Sequence, residues 1–258
     1  MRKQRRLSHS AQERLLTILS PIAILCVWEL ASWAGFFDQR FVPSPTKILG
    51  ASWHLIVSGE LWEHLSASLF RISIGFVIGV VPGVLIGMLM GLNRLVRAAL
   101  DPIVSATYPI PKIAILPLLM LVFGIGDGSK IAIVAIAVFF LVLINTMLGV
   151  RGIDKIYFDV SRNFQAPRHK LFLRVILPGA LPSIFAGLRL SAGVALIVLV
   201  AAEFVAANSG IGYLIWSSWE TLVIEDMFVG IIVITILGVL FAFLLKEAEN
   251  LFMPWRKF

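Results

Sequence analysis

Residues 159–184 read DVSRNFQAPRHKLFLRVILPGALPSI. This basic, polar stretch stands between long apolar runs, carries the helix breaker Pro167 and ends in Leu177-Pro178. Neither a lipid-facing helix nor a plain short loop needs all of these features together. What flanks the stretch decides the fold class.

The flanks are oily. Of 258 residues, 59% are hydrophobic and only 14% charged, with a mean hydropathy of +0.94. Soluble domains run near 25% charged. Several runs exceed the ~20 apolar residues that cross a bilayer as a helix, and period-2 alternation is not sustained, which argues against a membrane barrel. The chain reads as an all-α, polytopic membrane protein. Six spans are expected, at about 15–36, 66–91, 102–123, 129–149, 183–207 and 227–248. The segment after MRKQRR is too long for a secretory signal and lacks a cleavage site, so it reads as a retained span.

The basic residues test that count. Sixteen fall on one side if there are six spans: Arg2, Lys3, Arg5, Arg6, Arg14, Arg94, Arg97, Arg151, Lys155, Arg162, Arg168, Lys170, Arg174, Lys246, Arg256 and Lys257. The other side receives Arg40, Lys47 and Lys130. The positive-inside rule then places both termini and the quoted stretch in the cytoplasm. The net charge of +7 is thereby a topology signal rather than a nucleic-acid footprint. The expected division is a basic tail 1–14, a first span with its outer loop 15–65, a core 66–250 that includes a cytoplasmic loop 151–178, and a tail 251–258. Cys26 is the single cysteine, so no disulfide forms within the chain.

Two spans carry further pattern. Gly75, Gly79, Gly83, Gly87 and Gly91 recur every fourth residue, forming one stripe that suits close helix packing within the chain or against a second copy. Pro82 lies inside the same span, where a kink is expected. The third span is broken by Pro102, Pro109, Pro111 and Pro117, with Lys112 among them. Irregular backbone at membrane depth survives only beside protein or a watery cavity, and transporters place substrate at such breaks; the alternative is a kinked packing helix. Charges in the lipid zone are Glu29, Arg71, Lys112, Arg189 and Glu203. Arg71 and Arg189 lie near span ends and are expected to snorkel outward. Glu203 is expected to pair with a cation on a neighbouring span. The segment AANSGIGYL beyond it reads as a gate, a docking point or a structural turn.

No nucleotide, metal or nucleophile constellation accompanies these spans. GIGDGSK at 124–130 has the wrong spacing for a phosphate loop, and the four histidines have no metal-ligand spacing. The chain is therefore expected not to be an enzyme and to hold no metal or cofactor. Any uphill transport must draw on an ion gradient or a partner. A secondary transporter or channel is the rival class, but it predicts paired intramembrane carboxylates or an internal repeat, and neither stands out.

Within the quoted region and just before it, Ile153, Ile156, Tyr157, Val160 and Phe164 share one helical face. Asp154 suits the N-cap, and Pro167 ends the helix. A second short amphipathic piece follows, set off from span five by Pro178 and Pro182. The polar face of the first helix, with Lys155, Asp159, Arg162 and Asn163, is expected to be the one held by something else. A basic helix resting on anionic lipid is the alternative, weakened by Asp154, Asp159 and Asn163.

This stretch resembles the cytoplasmic loop signature of ABC-importer permeases, EAA-x3-G-x9-I-x-LP. Leu177-Pro178 matches its end and Val175 the isoleucine. Asp159, Val160 and Ser161 stand at the EAA positions, and Gln165 replaces the glycine. SPTKI at 44–48, SLFRISIGFVIG at 68–79, LPLLMLVFGIGDGSKIAI at 116–133 and AAEFVAANSGIGYLI at 201–215 are similar, in order, to the nitrate/sulfonate/taurine branch. The resemblance implies a type I importer permease fold in the bacterial inner membrane, with a second permease subunit, expected as a homodimer. It implies two cytosolic ATPases that use ATP and Mg, and an external substrate-binding protein. Asp159, Val160, Ser161, Arg162, Asn163, Phe164, Gln165 and Ala166 become the expected ATPase-coupling residues. Lys112, Pro111, Pro117 and Glu203 become substrate-pathway candidates for a small anion. A pyrimidine or aromatic-acid substrate is the alternative within the family.

Overall fold

A computed structural model describes residues 9–256. The basic residues Arg2, Lys3, Arg5, Arg6 and Lys257 lie outside the described residues, and so does most of the tail 1–14.

Among the described residues the secondary structure is helical throughout, with eleven α-helices. In order they are α1 His9–Trp33, α2 Pro45–Ser58, α3 Glu60–Leu92, α4 Arg94–Thr107, α5 Leu116–Phe123, α6 Asp127–Arg151, α7 Lys155–Asn163, α8 Arg168–Leu171, α9 Leu177–Ala206, α10 Ile211–Glu220 and α11 Ile224–Phe252. Among the described residues, four continuous stretches are long and apolar enough to cross a membrane: α3, α6, α11 and the 39-residue run Arg168–Ala206. The proline-rich third span is α4 joined to Lys112–Phe123, which qualifies only as a pair and is bent by 89°. Helix α1 is 25 residues long and includes the apolar stretch Leu19–Trp33.

The centre is a three-helix sandwich of α3, α6 and α9. Ile72, Val134, Val138, Val142, Ala195 and Leu199 form its buried core. The glycine stripe faces α6. A Cβ on Gly87 would stand 2.6 Å from the Leu143 carbonyl oxygen, one on Gly75 2.8 Å from Val134, and one on Gly79 would run into the Ala135 carbonyl. Close backbone approach replaces side-chain interlocking here, as suits helices in lipid, where apolar burial alone gives little drive to associate. Pro82 sits within the unbroken helix α3.

Span five differs from expectation. Pro178 and Pro182 do not separate it from the loop, because the helix runs through both. Pro178 lies in the first turn of α9, after a π-turn at Phe172–Ile176 in which Leu177 N–H reaches back five residues to Phe172 O. The wider turn accommodates the junction that a regular helix would break at proline.

Candidate functional site

Two polar regions lie at opposite ends of the sandwich. The first surrounds the start of α10. His64, Ser68 and Arg71 follow one another along α3, all buried, and grip the turn between α9 and α10. Gly210 N–H donates to His64 Nδ1 at 3.3 Å, Ile211 N–H to Ser68 Oγ at 2.8 Å and Gly212 N–H to Glu203 Oε2 at 2.8 Å. Amides at the head of α10 thus meet acceptors, and a carboxylate faces the positive end of the helix dipole. Arg71 donates to Glu203 at 2.7 Å, to Asp127 at 2.7 Å and to the Ser209 carbonyl at 2.6 Å. Lys130 closes the cluster from α6, donating to Ile125 O at 2.7 Å and Gly126 O at 3.1 Å.

Arg71 therefore does not snorkel: it is 5% exposed and pairs with Glu203, itself 1% exposed. The cation expected opposite Glu203 is Arg71. Arg189 is half-exposed and pairs with Glu249 of α11. Glu29 accepts from Thr46 N–H and Oγ at 3.1 and 2.8 Å, tying α1 to the first turn of α2. His64 and Ser68 were not anticipated from the sequence, although the 64, 68, 71 spacing of polar residues on an apolar helix was a usable signal.

The break in the third span holds Lys112. Its ammonium donates to Thr107 O at 3.0 Å and Tyr108 O at 2.9 Å, and lies 4.5 Å from the centre of the Phe140 ring. A cation there satisfies carbonyls freed at the end of α4. Pro111 precedes the short 3-10 turn Lys112–Ile115, and Pro117 sits in the first turn of α5. Lys112 is beside Phe140, midway along α6, while Glu203 is beside its first turn. About 13 residues of helix, roughly 20 Å, separate those levels. Lys112 and Glu203 are not parts of one site.

The second polar region is α7. Asp154 caps it, accepting from Ile156 N–H at 3.0 Å. The polar face is exposed as expected, but the apolar face is not covered: Ile156, Tyr157, Val160 and Phe164 also point outward, Phe164 at 82% exposure. Phe158 turns inward against the cluster formed by Met88, Val150, Ile176 and Ile184. Asp159, Arg162 and Asn163 are also exposed, whereas Ser161 and Ala166 are half-buried. The helix ends in a Schellman motif, with Ala166 N–H bonded to Ser161 O and Gln165 N–H to Arg162 O, both at 2.9 Å. Gln165 carries φ +47. The residue that replaces the signature glycine thus occupies the left-handed conformation for which glycine is the usual choice.

Comparisons with known proteins agree with this architecture. Residues 83–253 match the family described as binding-protein-dependent transport system inner membrane component. The putative aliphatic sulfonates transport permease protein SsuC of Escherichia coli (strain K12) is 43% identical over 235 residues, covering 91% of this chain and 89% of that protein. The taurine transport system permease protein TauC of the same organism is 35% identical, covering 93% of this chain and 89% of that protein. The crystal structure of an amino acid ABC transporter with histidines shares the fold, with a TM-score of 0.56, 17% identity and coverage of 80% of this chain and 96% of that one. Family membership implies an ATPase and a substrate-binding protein as partners, and a subunit that is not itself an enzyme. The chain belongs to the inner-membrane permease components of binding-protein-dependent ABC transport systems.

Proposed function

We propose that this chain lines the translocation pathway of an ATP-driven importer for a small sulfonate, and that α7 is its coupling helix. The observation that carries the coupling role is the outward apolar face of Ile156, Tyr157, Val160 and Phe164. A contiguous apolar patch on a short polar helix suits a protein groove. In this reading α7 and both termini lie in the cytoplasm, as the basic residues argue, and α1 supplies the first of six spans. Two copies of the chain enclose the pathway, two ATPases using ATP and Mg each grip one α7, and the binding protein delivers substrate from the other side. Asp159 to Ala166 form the ATPase contact.

The sulfonate assignment rests on the substrates named for the relatives. The broken span at Pro111, Lys112 and Pro117 is the pathway candidate, with Lys112 the cation that would favour an anion. Transport requires that ATP stabilise one state of the permease over the other. The test is purification in mild detergent from the native membrane, followed by uptake assays in proteoliposomes with the co-purified partners. ATP-dependent uptake of a sulfonate is expected. Solute movement by the chain alone, without ATP, would overturn the reading, and uptake of a pyrimidine in place of a sulfonate would overturn its substrate part.

A further inference from the structure

The junction between α7 and span five combines two features that a rigid connection would not need. The first is the π-turn Phe172–Ile176, one residue wider than the α-helix on either side of it. The second is a cavity of about 440 Å³ between α7 and the start of α9, lined by Ile153, Tyr157, Arg174, Pro178, Gly179 and Trp255. Phe158 and the preceding Ile153 anchor α7 to the buried cluster beneath it. By contrast, the other end of α9 is tied to α3 and α10 by the bonds of Glu203 with Arg71 and with Gly212 N–H.

We propose that the π-turn is the joint at which the 154–171 segment moves relative to α9, and that the cavity is the space it moves into. Each helical residue turns the chain by about 100° and advances it about 1.5 Å. Absorbing the extra residue of the π-turn into regular helix therefore re-aims everything before it while leaving α9 in place. Pro178 supports this placement, because its missing N–H prevents the π-turn from migrating freely into span five. The inference rests on the coupling role of α7 proposed above.

The experiment uses the full transporter in proteoliposomes. Spin labels are placed on either side of the cavity at Lys155→Cys, beside the lining residue Asp154, and at Trp255→Cys in a Cys26→Ser background, and the distance is measured with and without ATP. A second pair, Phe70→Cys and Val205→Cys, reports on α3 against α9. A change of several ångströms across the cavity, with the second pair unchanged, is expected. Equal distances in both nucleotide states, in a transporter that imports normally, would overturn the joint and leave the coupling role standing. Absence of ATP-dependent import in the unlabelled protein would overturn both. Deleting the exposed Leu173 should regularise the π-turn and lower import at least tenfold while the ATPase still binds and hydrolyses; undiminished import would count against the joint.

Discussion

The two ends of the α3–α6–α9 sandwich are built on opposite plans. At the α10 end, Arg71, Glu203, Ser68 and His64 are buried and hydrogen-bonded to one another or to the turn they hold. At the α7 end, large apolar side chains face outward beside a cavity. A closed polar cluster in a low-dielectric setting resists rearrangement, since each broken bond leaves a buried group unpaired. An exposed apolar helix gains by being covered. One end is thus suited to stabilising the subunit and the other to engaging a partner.

The largest effect should come from breaking the closed end. Arg71→Ala leaves the Glu203 carboxylate buried without its cation, at a cost of about 3–5 kcal/mol. Heating of detergent extracts followed by size-exclusion chromatography should show early loss of the monodisperse protein. A variant as heat-resistant as the wild type would end the contrast. Gly79→Val should cost about 1–3 kcal/mol in the same assay, because the added side chain meets the backbone of α6. Phe164→Ala should behave differently: heat resistance unchanged, uptake reduced about tenfold, equivalent to about 1.4 kcal/mol. A fall in heat resistance would show that Phe164 serves the subunit rather than a partner. The smallest effect is expected from Gln165→Gly, which relieves the left-handed position by about 1 kcal/mol. Slower proteolysis of the α7 segment would record it.

Much of this was legible in the sequence. Apolar runs and the placement of basic residues mark the long helices, and the four-residue glycine spacing marks one face of α3, because both depend on local periodicity. The Asp154 cap is equally local. Other features were not legible, for identifiable reasons. Pro178 looked like a break because the π-turn that accommodates it has no signature of its own. Arg71 looked like an interfacial residue because its partner Glu203 lies 132 positions away.

Hydropathy and spacing along single helices were enough to establish a helical membrane protein with a polar interruption and a close-packing glycine face. They could not establish that Arg71 and Glu203 form one buried cluster, or that Lys112 and Glu203 stand at different levels. Nor could they settle the orientation of α7, since an amphipathic pattern defines two faces without saying which one is covered. Those facts depend on which helices become neighbours. The packing of α3 against α6 and α9 sets that, and no local run of residues encodes it.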